Sequence, residues 1–167
     1  IIIVSQKGNA IIFSEKDVRP MGRTASGVKS MNLKSDDLAV CMDIVVEDED
    51  LLVISENGYG KRTPLSEYKV QRRGGSGLIT YKSSEKKGKL IGATVCKDDD
   101  ELMLINTSGI AIRINVSDIS VTGRAAMGVR LMRTSEEEKI VAIAKISGSE
   151  EDNELIDRED TEDREIL

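Results

Sequence analysis

Two short markers recur in one register along this 167-residue chain, and their period constrains the fold more than any other feature. The first is an apolar run followed by a polar turn that ends in glycine: "IIIVSQKG", "LLVISENG" and "LMLINTSG", with Gly8, Gly58 and Gly109 spaced by 50 and 51 residues. The second is "MGRTASGV" (21 to 28), "QRRGGSGL" (71 to 78) and "TGRAAMGV" (122 to 129), which aligns Arg23 with Arg73 and Arg124, and Gly27 with Gly77 and Gly128. Self-similarity at a period of this size is the mark of a repeat architecture.

Each unit opens as a β-hairpin, because a buried apolar run, a turn closed by a glycine able to take positive φ and an alternating strand form the hairpin pattern. Ile110, Ile112 and Ile114 alternate with Ala111, Arg113 and Asn115, so Arg113, and Arg62 aligned with it, are expected to point outward. Further strand-like runs follow each second marker ("VKSMNL", "LITYK", "VRLMR") and close each unit ("LAVCMDIVV", "KLIGATVC", "KIVAIAKI"). About four strands per unit of ~50 residues predict an all-β chain of about three propeller-like blades. The acidic clusters at 47 to 50 and 98 to 101 lie between units and read as solvated turns, since a calcium loop's Asp/Asn/Gly spacing is missing.

Aromatic residues make up 2% of the chain and Trp is absent, so the core must be aliphatic. Cys41 and Cys96 lie far apart in apolar runs and read as reduced structural thiols. No stretch approaches the roughly 18 apolar residues of a membrane span, so no membrane partner is expected. There is no histidine for acid–base work, no P-loop and no nucleophile elbow, and Tyr59, Tyr68 and Tyr81 are given structural roles. The reading is of a non-catalytic chain without a cofactor. Ile1 already sits in an apolar run, which suggests a piece of a larger polypeptide.

The net charge of -6 is unevenly placed: residues 150 to 167 hold ten acids and two arginines, leaving 22 basic and 20 acidic residues in positions 1 to 149. Positions 59 to 89 carry nine Lys or Arg against Glu67 and Glu85. Cations at Lys61, Arg62, Lys69, Arg72, Arg73 and Lys82 in the second unit are joined by Arg23, Lys29, Arg113, Arg124, Arg130 and Arg133 in the others. A basic stripe repeated on successive blades suits a regularly spaced polyanion, because each neutralised phosphate adds a salt-dependent, sequence-independent increment of affinity. With so few aromatics, base stacking on single strands is unfavoured and duplex backbone is the better partner. Gly74, Gly75 and Gly77 allow backbone conformations closed to other residues and leave amide groups open to approach.

"NGYGKRTPLSEY", "QRRGGSG", "TGRAAMGVRLMRTSEEEKIVAI" and the acidic tail together resemble the C-terminal domain of bacterial DNA gyrase A, over residues 1 to about 147. That resemblance implies a β-pinwheel whose basic outer edge wraps duplex DNA. The implied partners are double-stranded DNA, the remainder of gyrase A, and gyrase B in the parent heterotetramer. That parent is an ATP-dependent type II topoisomerase of the bacterial cytoplasm and nucleoid, which introduces negative supercoils. The family's signature box carries Lys where this chain has Ser76, and it belongs to the first blade of about six. Residues 71 to 77 therefore read as a box-like copy in a late blade, with Arg72 and Arg73 each contacting phosphate. Residues 1 to 149 are expected to form the DNA-wrapping part, and 150 to 167 an acidic tail, disordered or partly helical, read first as a solubilising end and second, as the resemblance implies, as a competitor with DNA for the basic edge. Alternatives are the C-terminal domain of topoisomerase IV, which shares the architecture with a degraded box, and a propeller-type protein-interaction scaffold. Open strand edges would also let two copies associate edge to edge.

Overall fold

A computed structural model describes residues 1–135 and 137–148. The expectations placed on the acidic tail lie outside the described residues. Among the described residues eleven strands form: β1 Ile2–Ser5, β2 Asn9–Ile12, β3 Ala39–Asp43, β4 Asp50–Ser55, β5 Tyr59–Pro64, β6 Leu78–Ile79, β7 Leu90–Cys96, β8 Glu101–Asn106, β9 Ala111–Asn115, β10 Val129–Arg130 and β11 Ile140–Ile146. Each hairpin's second strand runs into a single 3-10 turn, at Glu15–Asp17, Leu65–Glu67 and Val116–Asp118, so the period read from the sequence persists in the backbone.

The strands make three antiparallel sheets, ordered β3-β1-β2-β6, β10-β5-β4-β7 and β11-β8-β9. The second and third units each contribute four strands, as expected, but each unit keeps three in its own sheet and the fourth strand of a sheet arrives from the next unit. Thus Ile79 and Leu78 of β6 pair with Asn9 and Ala10, and Val129 and Arg130 of β10 pair with Gly60 and Tyr59. The run "VKSMNL" forms no strand, whereas its equivalents, β6 and β10, pair with the sheet of the preceding unit. The β9 sheet, correspondingly, has three strands.

The hairpin glycines show why the donated strand needs them. Gly8 and Gly58 have φ of +91° and +77°, and their carbonyls accept the amides of Thr80 and Tyr81, and of Leu131 and Met132. A Cβ on Gly8 would sit 2.1 Å from the Tyr81 oxygen and one on Gly58 2.2 Å from that of Met132, whereas Gly109 (φ +79°) meets nothing within 4 Å.

The core lies between sheets. Because strand side chains alternate, Ile2 and Val4 of β1 meet Leu51 and Val53 of β4 in one apolar layer, while Leu52 and Ile54 turn the other way onto Leu102 and Leu104 of β8. The middle sheet is thus covered on both faces, and Leu51, Leu52, Val53 and Ile54 are all fully buried. Each such side chain contributes about 1.5–3 kcal/mol on leaving water. Both cysteines are free, and burial pushes the Cys41 thiol up to about 11 and that of Cys96 up to about 12, as expected of structural thiols. The acidic clusters are less solvated than expected: Asp100 is buried, with its carboxylate accepting the Lys97 amide, and Asp50 sits partly buried beside Arg62.

Candidate nucleic-acid interface

The box at 71–77 is a clasp between blades. Gln71 donates its amide to the Ile12 carbonyl at 2.8 Å, Gly74 donates to Ser30 at 2.8 Å, and Gly75 accepts from Asn32 at 2.8 Å. Gly74 and Gly77 take φ of +84° and +72°, and a Cβ on Gly77 would lie 2.4 Å from the Ala10 carbonyl oxygen. These glycines let the chain fold back onto blade 1 at main-chain contact distance. The third unit repeats the device: Thr122 donates to the Arg62 carbonyl, and Gly128 lies against Gly60.

The aligned arginines link box to box. Arg73 donates from Nη1 to the Lys29 carbonyl at 2.5 Å and from Nε to the Asp17 carbonyl at 3.4 Å. Arg124 donates from Nη1 to the Ile79 carbonyl at 3.0 Å. Lys29 and Ile79 occupy the same place in successive units, so the second and third boxes each hook the one before and the three form one row. On or beside that row Arg23, Lys29, Lys69, Arg72, Lys82, Arg130 and Arg133 are exposed, while Arg73 and Arg124 are half-buried with part of their donors already engaged.

Three residues expected to join this surface do not present free charge. Lys61 and Arg62 are 0% and 4% exposed. Lys61 Nζ donates to the carbonyls of Gly123 and Arg124 at 3.0 and 2.6 Å. Arg62 donates from Nε to the Ile119 carbonyl at 2.7 Å, and its Nη1 pairs with Asp98 and, at 3.5 Å, with Asp50. Both sit on the middle sheet, which has no outward face, and this overturns the expectation of an outward Arg62. Arg113 lies in an end sheet and is exposed, but it pairs with the Glu101 carboxylate on the neighbouring strand.

Burial pushes the Lys61 ammonium from 10.5 down to about 8. The folded pKa is thus below the unfolded one, so between these values the unfolded chain holds the proton that the folded chain has shed. Stability contributed by Lys61 therefore rises with pH across that window and is lost as pH falls through about 8. The neutral amine still has two N–H donors for its two carbonyls. Denaturant unfolding of the wild type and Lys61→Met at about pH 7 and about pH 10 should show a wild-type advantage that grows with pH; one that shrinks contradicts this.

Sequence reasoning missed Lys7, Lys34, Lys86 and Lys139, which stand beside box-strand ends at the blade junctions. Their signal was available only in part: Lys7 lies in the first marker's turn and Lys86 in the basic second unit, but nothing in the pattern brings Lys34 or Lys139 to the same edge.

Stacked repeat blades, clasped by donated strands and with exposed cations flanking each box, define a propeller-like repeat module. The family model described as "DNA gyrase C-terminal domain, beta-propeller" matches residues 1–42, 49–97 and 100–147, one match per unit. The chain belongs to this family of DNA gyrase C-terminal domains. It is 57% identical over 173 residues to the DNA gyrase A protein of Clostridium acetobutylicum, covering 99% of this chain and 21% of that protein. With the DNA gyrase A protein of Staphylococcus aureus it shares 38% over 163 residues, covering 96% and 18%. The chain therefore spans about a fifth of the length of these curated relatives. Among solved structures it is similar to a DNA topoisomerase IV C-terminal domain (TM-score 0.85, 25% identity, 96% of this chain and 50% of that one). It is also similar to a DNA gyrase A C-terminal domain (TM-score 0.77, 34% identity, 87% and 50%).

Proposed function

We propose that residues 1 to 149 bind duplex DNA through phosphate contacts along the row of boxes, without reading base sequence, and that the chain serves this way within a gyrase A protein working with gyrase B in the bacterial cytoplasm. The observation that carries the reading is the continuity of the three boxes, the second and third each hooked to the one before and all three flanked by exposed cations. Chemistry belongs elsewhere in such an enzyme: Tyr68 and Tyr81 are buried and Tyr59 is paired with Arg130, which supports structural roles for all three. Bending 20–30 bp of DNA by 40–90° costs about 1–6 kcal/mol, so three blades support weak duplex binding better than a stable wrap.

The topoisomerase IV reading is favoured by one observation, the higher TM-score of that structure. Shape is common to both classes, however, and sequence separates them: identity is 34% with the gyrase domain against 25% with the topoisomerase IV domain, and the box keeps six of its seven residues. Binding to two unrelated duplexes of equal length is expected to be equally tight. A preference of about 10³-fold or more for one of them, as base readout gives, would overturn the proposal.

A further inference from the structure

Between blades 2 and 3 a cavity of about 380 Å³ is lined by Tyr59 of β5, Lys86 of the loop before β7, Arg130 of β10, and Thr134, Ser135 and Lys139 of the loop before β11. Arg130 donates from Nη2 to the Tyr59 phenol oxygen at 2.7 Å and lies 5.1 Å over the ring, and Lys139 Nζ donates to Asn57 Oδ1 at 2.5 Å. Among the described residues none of these three cations is in an ion pair, and Glu85 is the one acid of the lining. The Arg130 hydrogen bond, with the charges of Lys86 and Lys87, pulls the Tyr59 phenol below its usual pKa, as a net positive field should.

One repeat earlier, between blades 1 and 2, an equivalent cavity of about 420 Å³ is lined by Lys7, Lys34 and Lys82 with Asn9 and Ser83. Asn9 stands where Tyr59 does in the next unit, and Ser83 where Thr134 does. Its one acid, Asp37, is already committed, accepting the amides of Lys7 and Leu38. The two cavities differ in residue type at nearly every position, yet each gathers three cations, hydroxyl or amide donors and a single carboxylate. A shared demand for an anion explains that balance; a shared packing role does not.

We infer that each blade junction seats one backbone phosphate of duplex DNA, so that the polyanion is gripped between blades as well as along the boxes. This rests on the duplex-binding reading and deepens it by assigning the contacts. The charge of one phosphodiester and its two free oxygens suits a set of converging Lys, Arg and hydroxyl donors, and each phosphate so neutralised adds about 0.9 to the slope of log affinity against log salt.

The test measures that slope on one linear duplex for the wild type, for Lys86→Gln with Lys139→Gln, for Lys7→Gln with Lys34→Gln, and for Lys97→Gln, an exposed lysine in the β7–β8 turn away from both cavities. Circular dichroism melting first establishes that all four fold alike. Each double variant should lower the slope by about 1 while the Lys97 variant leaves it unchanged. Duplex should also move the Tyr59 ring NMR signals and leave those of buried Tyr68 in place. A steep wild-type slope that both double variants retain would overturn the junction sites and leave duplex binding standing. Inorganic phosphate that moves Tyr59 while duplex does not would make the cavity a free-anion pocket and would equally overturn the inference.

Discussion

Gly58→Ala is expected to destabilise the chain by about 4 kcal/mol or more, the range reserved for strain and steric overlap in a packed site, while Gly109→Ala at the same place in the next unit costs only about 1–2 kcal/mol. Both glycines have φ near +80°, so an L side chain meets the left-handed penalty of roughly 1–2 kcal/mol at either position. They differ in their neighbours. The Cβ at position 58 would stand 2.2 Å from the Met132 carbonyl oxygen, beside the strand donated by the following unit, and at position 109 it meets nothing within 4 Å. Gly8→Ala should resemble Gly58→Ala, its Cβ lying 2.1 Å from the Tyr81 oxygen. Equal costs at the three positions, read from denaturant midpoints, would mean that turn geometry alone matters and that the donated strands do not bind as described.

Arg62→Met should cost about 3 kcal/mol or more, because removing one partner of a buried ion pair strands the other. Asp50 would lose its cation and the Ile119 carbonyl its donor. Burial already raises the Asp50 pKa, with Arg62 opposing the rise. A carboxylate whose folded pKa exceeds its unfolded value stabilises the fold at low pH and loses that contribution as pH rises through the folded value. Without Arg62 the rise is larger, so the penalty of Arg62→Met should shrink on acidification into the carboxylate range. Arg113→Ala, at the aligned position, removes an exposed pair and should cost less than about 1 kcal/mol. A penalty for Arg62→Met that is as small as this, or that grows with acid, contradicts the buried network.

The contrast between Arg62 and Arg113 also marks how far the sequence can be read. Their alignment holds and so does the alternation, yet alternation assigns an outward face only where one exists. Among the described residues blade 3 keeps one face exposed, whereas blade 2 is enclosed on both sides, so the same strand position becomes interior, and Lys61 with it. Hairpins, their glycines and the aliphatic layers are legible because each is encoded within about a dozen contiguous residues. The donated strands are not: Leu78–Ile79 and Val129–Arg130 are two residues long and carry no period, and their partners lie roughly seventy residues away in the chain. The purpose of the box glycines is half legible. Their permissive backbone follows from residue type, but it serves main-chain contact with the preceding blade, and the phosphate contacts proposed above fall to the side chains around it. Of the two arginines that open the box, Arg72 is exposed and Arg73 is half-buried with part of its donors engaged by carbonyls.

Duplex affinity measured across salt, for the wild type and for Arg72→Ala, tests the cationic rim most directly. At about 0.9 per neutralised phosphate and at least one phosphate per box, log affinity should fall linearly with log salt at a slope of about -3 or steeper. Arg72→Ala should flatten the slope by about 1, with no loss of stability. A wild-type affinity that stays constant between roughly 50 and 200 mM salt would contradict a surface that holds DNA by its phosphates.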